Sequence, residues 1–431
     1  MKKITVVMAC VFAFTVFAQE PIIDEWVLNT TNKTSSYWQA NNSGGYTYNT
    51  STTLADVLSV CYGKDTVWIT SEGMTNDMGQ FTNPGSVEPQ GYTMAFPRNP
   101  VEGSGTEAAP EANMVGILIN GIPIYGLGDG KSYSARDNAT SPQGEGNWVG
   151  EAYFTEGETL DTAFAAHPQQ SGAYHSHATP FRLYDDPSTS HSPLVGFAND
   201  GFPVYGPFGY SSATDASSGL SRMTSSFQLR NLTTRTVLPD GSTSTPPGPN
   251  VTTGGDWDIG TFIQDYEYIE DLGTLDEHNG RWCVTPEYPN GTYAYFVTVD
   301  VLGNPVFPYY IGTTYYGTPK AENNSGSAIQ PSGSNINCLS LVTSVDDNFN
   351  NENVEFYPNP SSHQVTVTLP EGAEGKFDLR VIDVTSALVY SKNLIDAKDQ
   401  ITINVEDLPA GIYQVRIIGY NQLFTSSFTK E

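Results

Sequence analysis

Residues 114–126, MVGILINGIPIYG, align without a gap on residues 194–206, LVGFANDGFPVYG. Val115, Gly116, Gly121, Pro123, Tyr125 and Gly126 recur as Val195, Gly196, Gly201, Pro203, Tyr205 and Gly206, six identities in thirteen positions. Each copy reads as an apolar strand, an Asn-Gly or Asp-Gly turn suited to left-handed backbone angles, and a second strand whose proline favours an edge. A hairpin used twice makes this a β protein. The copies differ chemically at the turn, where Asp200 replaces Asn120.

The surrounding sequence agrees. DTVWIT (65–70), GTYAYFVTVD (291–300) and QVTVTL (364–369) are short apolar or alternating runs rich in β-branched and aromatic residues, and turn residues bound them. One minor helix is expected around TLADVLSV (53–60). Three regions separate by composition: a Tyr-, Gly- and Pro-rich segment over 19–316, a polar, turn-prone linker over 317–353, and a second strand-patterned segment over 354–431. The predicted fold class is mainly β, a large β-rich domain followed by a small immunoglobulin-like β-sandwich.

Acidic residues outnumber basic ones 47 to 19, for a net charge of −28. Such a chain repels phosphate backbones and anionic lipid, which excludes nucleic acid as a partner class. Lys2 and Lys3 precede the apolar run ITVVMACVFAFTVF, and Val16 and Ala18 stand before Gln19. This is the layout of a cleavable secretory signal over 1–18. No other run approaches the length of a membrane helix, so no transmembrane span is expected in the mature chain. Export permits disulfides, and three cysteines remain after cleavage: Cys61, Cys283 and Cys338. Cys338 lies in the polar linker, which points to Cys61 with Cys283 as the pair.

The last segment carries VEFYPNPSSHQVTVTL, LRVIDVTSALVYSKNL, ITINVEDLPAGIYQVRII and a terminal FTSSFTKE. It resembles the type A C-terminal sorting domain of the type IX secretion system, with Tyr357-Pro358-Asn359-Pro360 opening it and Leu408-Pro409-Ala410-Gly411-Ile412-Tyr413 as the late turn and strand. The resemblance implies a Bacteroidota-type source, the type IX machinery as a partner, and a cell-surface or extracellular destination.

Within GAYHSHAT (172–179), His175 and His177 are two apart, so in a strand they share one face while Tyr174 and Ser176 take the other. The stretch echoes GTYAYFVT (291–298), where Ala294 and Phe296 stand in the histidine positions. The histidines are therefore not required for the strand. Two imidazoles on one face can converge on a copper or zinc ion if further ligands arrive. His191, Asp200 and His278 are the candidates, with Asp276, Glu277 and Arg281 in LDEHNGRW (275–282). His167 and His363 fall outside these motifs. The same pair also fits structural hydrogen bonding or metal-free acid–base work, and Asp276, Glu277 and Arg281 fit turn-capping and ion-pairing roles.

YHSH (174–177), HSPLVGFANDGFPVYGPFGY (191–210), NGIPIYG (120–126), LDEHNGRW and TPEYPNGTYAYFVT together resemble the YHYH family of secreted proteins over about 60–312, with Ser176 in place of the second Tyr of the name motif. That resemblance implies a domain, without a particular reaction. If the site is catalytic, copper or zinc would polarise a bound water or substrate oxygen, with Asp200 or Glu277 moving the proton. Asp and Asn clusters in loops leave calcium open as a ligand. The alternative function is a non-catalytic surface module whose Tyr and Trp side chains bind extracellular glycan or cell-envelope material. Nucleophile-elbow, zincin, Walker and dinucleotide motifs are missing from the sequence.

Overall fold

The computed structural model describes residues 20–41, 43–82, 85–184, 189–320, 323, 329–333, 335–340, 355–368, 376–382, 388–396, 401–418 and 423–431. The secretory signal expected over 1–18 lies outside the described residues, as does most of the expected linker. The chain divides into two compact units, residues 1–341 and 342–431. Both are built of strands.

The first unit is organised by an eight-stranded sheet. Its strands, numbered here in chain order, are β1 (Met114–Leu118), β2 (Pro123–Tyr125), β3 (Ala166–Pro168), β4 (Tyr174–Ser176), β5 (Leu194–Ala198), β6 (Pro203–Tyr205), β7 (Gly280–Cys283) and β8 (Thr292–Phe296). In space they run β3-β4-β2-β1-β5-β6-β8-β7. The two repeated hairpins form the centre, and they meet antiparallel through Gly116↔Ala198, Ile117↔Phe197 and Leu118↔Gly196. Since Phe197 is the repeat equivalent of Ile117, the sheet has a pseudo-two-fold axis through that pair. The hairpin registers coincide as well: Met114↔Tyr125, Gly116↔Ile124 and Ile117↔Pro123 in one copy, Leu194↔Tyr205, Gly196↔Val204 and Phe197↔Pro203 in the other.

The repeated glycines have reasons. A Cβ on Gly116 would stand 2.6 Å from the Phe197 carbonyl oxygen, and one on Gly196 would stand 2.6 Å from that of Ile117. Only glycine lets the two hairpins close on each other. Gly121 and Gly201 hold φ of 82° and 87° at the turns, angles that cost other L-residues energy.

Both faces of the sheet are covered, which is why its central strands lack polar alternation. One face joins a core with Phe81, Tyr174, Val195, Tyr293, Tyr295 and Tyr310. Ile117, Phe197, Ala294 and Phe296 join the other, together with Val60, Ile69 and Phe96 of a four-stranded sheet. That second sheet orders Asn337–Ser340, Val57–Tyr62, Thr66–Ser71 and Tyr92–Pro97.

Two expectations are corrected here. TLADVLSV is not helical: it crosses from the strand Tyr46–Leu54 into the strand Val57–Tyr62, and Asp56 between them takes φ 66°. Leu54 and Val57 each find a strand neighbour, so pairing overrides local propensity. The disulfide joins Cys61 to Cys338, not to Cys283. Residues 337–340, read as linker, pair with Val57–Tyr62 and set Cys338 opposite Cys61, while Cys283 is a buried free thiol on β7.

The second unit is a β-sandwich. A sheet of Glu355–Tyr357, Gln364–Thr368 and Ile401–Asn404 and a sheet of Leu388–Asp396, Lys376–Ile382, Gly411–Ile418 and Leu423–Lys430 supply one core of Val365, Val367, Leu379, Val381, Ile403, Val415 and Phe428. Among the described residues, no helix is long and apolar enough to cross a membrane.

Candidate functional site

His175 and His177 project from β4 and its C-terminal end, and the third member of their cluster is His167 on β3. The turn Gln169–Gly172 folds β3 back on β4, with Gly172 at φ 83°, and the antiparallel register places His167 opposite His175. Among the described residues, these three histidines form the cluster with metal-ligand spacing, their donor atoms all within 4.8 Å of one another. All three are buried. They line one wall of a cleft of about 500 Å³, together with Tyr125, Asp129, Lys131, Glu156, Gln169 and Ser171.

The outer hydrogen bonds fix which nitrogens face inward. The His175 Nδ1 lies 2.8 Å from the Ala173 carbonyl oxygen, which can only accept, so Nδ1 carries the proton and Nε2 is a bare lone pair. Thr159 Oγ1 gives its single proton to the Glu156 carbonyl at 2.7 Å. It must therefore accept from His167 Nδ1, also at 2.7 Å, which leaves His167 Nε2 bare. The His177 Nε2 lies 2.9 Å from His175 Nε2. Glu156 Oε2 stands 3.5 Å from His167 Nε2 and 3.7 Å from His177 Nε2. The bare His167 Nε2 thus faces the Glu156 carboxylate acceptor to acceptor, with the bare His175 Nε2 and the His177 Nε2 beside them in one small space. The His177 Nδ1 is buried without a full hydrogen bond, although the Gly126 backbone acts on the ring.

Burial, followed by the charges of His177 and His167, holds His175 well below the usual imidazole range. Burial and the charge of His167 lower His177 to about 4. Both rings are neutral at pH 7, the form in which imidazole binds metal. The Tyr125 ring lies 4.0 Å from the His175 ring, centroid to centroid, and limits its rotation.

Glu156 is carried by the short helix Ala152–Glu156, whose N-cap is Glu151; the Glu151 carboxylate accepts from the Tyr153 and Phe154 amides. Glu151 is fully buried, and burial pushes it up to about 8. The folded state therefore holds a proton that the unfolded state releases above the ordinary carboxyl range, so this contribution to stability is present at low pH and lost as pH rises through about 8. Glu151→Gln is expected to raise thermal stability at pH 9, by roughly 3 kcal/mol after loss of part of the cap, and to do little at pH 5. Thermal melting at the two pH values checks this; a variant less stable than the parent at both would contradict it.

The remaining sequence candidates do not join the cluster, because the fold places them in the other half of the sheet or in the loops beside it. His191 donates through Nδ1 to the Ser192 carbonyl and packs against Tyr205 and Tyr210. His278 turns Nδ1 to Thr314 and sets Nε2 3.6 Å from the exposed carboxylate of Glu277. Asp200 is fully buried and accepts from the Tyr295 hydroxyl at 2.6 Å and the Gly317 amide at 2.9 Å, which ties the second hairpin to the chain after β8. Burial pushes it up to about 6. Asp276 caps its own turn through the His278 and Gly280 amides and the Tyr293 hydroxyl. Arg281 donates to the Tyr210 carbonyl and lies over the Phe296 ring. Sequence reading missed His167 and Glu156. The signal for His167 was the tight QQSG turn between AHP and AYHS, which predicts a hairpin with His167 facing His175.

The profile of the YHYH protein family matches residues 93–308. The chain belongs to the YHYH family. Residues 355–431 match the secretion system C-terminal sorting domain, so this YHYH protein is exported to the cell surface or the extracellular space. No curated protein matches the chain. Among solved structures, an immunoglobulin-like β-sandwich protein from Bacteroides vulgatus is similar at 21% identity over 19% of this chain and 89% of its own, with a TM-score of 0.16. PorZ, a surface component of the type IX secretion system of Porphyromonas gingivalis, is similar at 14% identity over 91% of this chain and 55% of its own, also with a TM-score of 0.16.

Proposed function

We propose that this exported YHYH protein binds one transition-metal ion, copper or zinc, through Nε2 of His167, His175 and His177. The observation that carries the reading is the convergence of bare Nε2 lone pairs and the Glu156 carboxylate, which leaves acceptors opposed unless a cation or shared protons lie between them. The donor set fits the metal: neutral imidazole suits copper and zinc, whereas calcium takes oxygen ligands. Thr159 and Ala173 hold two of the rings from outside, the support that metal-ligating histidines generally have. An ion held there would supply Lewis acidity to an oxygen ligand entering the cleft, and Glu156 is placed to ligate it or to take a proton.

Elemental analysis and calorimetric titration of the secreted full chain test the reading. About one equivalent of copper or zinc per chain is expected. A folded protein that takes up neither metal after supplementation overturns it, and glycan binding then becomes the reading to pursue on the same preparation.

A further inference from the structure

The pseudo-two-fold relation extends beyond the central hairpins to the histidine strand itself. β4 runs parallel to β2 through Ser176↔Ile124, and β8 runs parallel to β6 through Tyr295↔Val204. β3 crosses β4 with His167 opposite His175, and β7 crosses β8 with Arg281 opposite Ala294. The entry loops match as well. The His177 amide donates to the carbonyl of Ala165, a non-glycine residue at φ 45°, and the Phe296 amide donates to that of Asn279 at φ 66°. Asp161 caps the first loop and accepts from the Tyr174 hydroxyl; Asp276 caps the second and accepts from that of Tyr293. Four strands, the central hairpin turns, the entry loops and the carboxylate–tyrosine locks occur twice, while the β7–β8 connection, residues 284–291, is longer than the Gln169–Gly172 turn.

Superposed through these registers, His167, His175 and His177 fall on Arg281, Ala294 and Phe296. The wall is retained: Tyr125 lies 6.2 Å from His177, and its equivalent Tyr205 lies 5.9 Å from Phe296, centroid to centroid. The tyrosine wall is common to both halves, and the two differ at all three imidazole positions. In their place the Arg281 guanidinium stands 5.6 Å over the Phe296 ring and donates to the Tyr210 carbonyl at 2.6 Å. A guanidinium is a permanent cation that needs no ligands. We infer that the half-sheet β5–β8 is a second, vacated copy of the metal site, in which Arg281 supplies a fixed positive charge where the first half takes a metal ion.

This inference rests on the metal reading of the first half, and the experiment separates the two. Metal content is measured for the parent full chain and for Arg281→His/Ala294→His/Phe296→His. One equivalent in the parent and two in the variant is the expected result. One equivalent in both, with the variant folded by circular dichroism, overturns the inference and leaves the first site standing; none in the parent overturns the metal reading itself. Ala294 and Phe296 are fully buried, so the variant can fail to fold. The reverse exchange then decides: His167→Arg/His175→Ala/His177→Phe should fold and bind no metal, because the second half already packs that set. Unfolding of this variant, when His167→Ala/His175→Ala/His177→Ala folds, contradicts the equivalence of the two halves.

Discussion

His175→Ala is expected to reduce metal content from about one equivalent per chain to near zero at micromolar metal, while the protein stays folded. His175 has its Nε2 2.9 Å from His177 Nε2, so it occupies the middle of the donor set. Losing it leaves two imidazoles at most and opens a void beside Tyr125. Thr159→Val is the graded companion. It removes the hydroxyl that receives the His167 Nδ1 proton without touching a ligand, so a loss of roughly 10- to 100-fold in affinity is expected, the usual cost of an outer partner. Titration calorimetry reads both. If Thr159→Val were as damaging as His175→Ala, the hydroxyl would be maintaining the fold of β3 and not the aim of one ring; if neither changed the affinity, the metal would be bound elsewhere.

The largest effect on stability is expected at Arg235, far in sequence from every motif discussed. Its guanidinium makes a bidentate pair with Asp265, both contacts at 2.7 Å, and neither side chain is exposed at all. It also donates to the carbonyls of Pro249, Trp257 and Asp258, which organises the long irregular segment before β7. Arg235→Met removes the cation from a buried carboxylate that then keeps only the Gly260 and Phe262 amides, and takes a donor from each of the three carbonyls, a loss of about 4 kcal/mol. Arg235→Met/Asp265→Leu should recover part of this, because the uncompensated charge is the costly element. Denaturant unfolding of the two variants checks the order; a single variant as stable as the parent would show the pair to be dispensable.

Several features were legible from residue order alone. The repeated hairpin with the glycines and proline that its two copies share, the strand character of nearly every apolar run and the sorting domain all depend on local chemistry: turn residues with left-handed angles, β-branched and aromatic runs, and period-two alternation. That His175 and His177 share a face followed from the same alternation. The helix expected at 53–60 failed because two strands on either side offered pairing that local propensity cannot register.

What only the tertiary structure decided was which residues meet. Asp200, Asp276 and His278 carry the right chemistry in suggestive motifs, yet each is engaged by a tyrosine, an amide or a threonine in or beside the other half of the sheet. His167 and Glu156, unremarkable in sequence, reach the cluster because a four-residue turn reverses β3 onto β4 and a short capped helix points its last carboxylate at the same space. Cys338 found Cys61 because four residues of an apparent linker complete a sheet edge. Sequence fixes the face a side chain takes, since alternation is a property of the backbone. The partner across that face is set by strand register and chain reversal, which depend on contacts far apart in the chain.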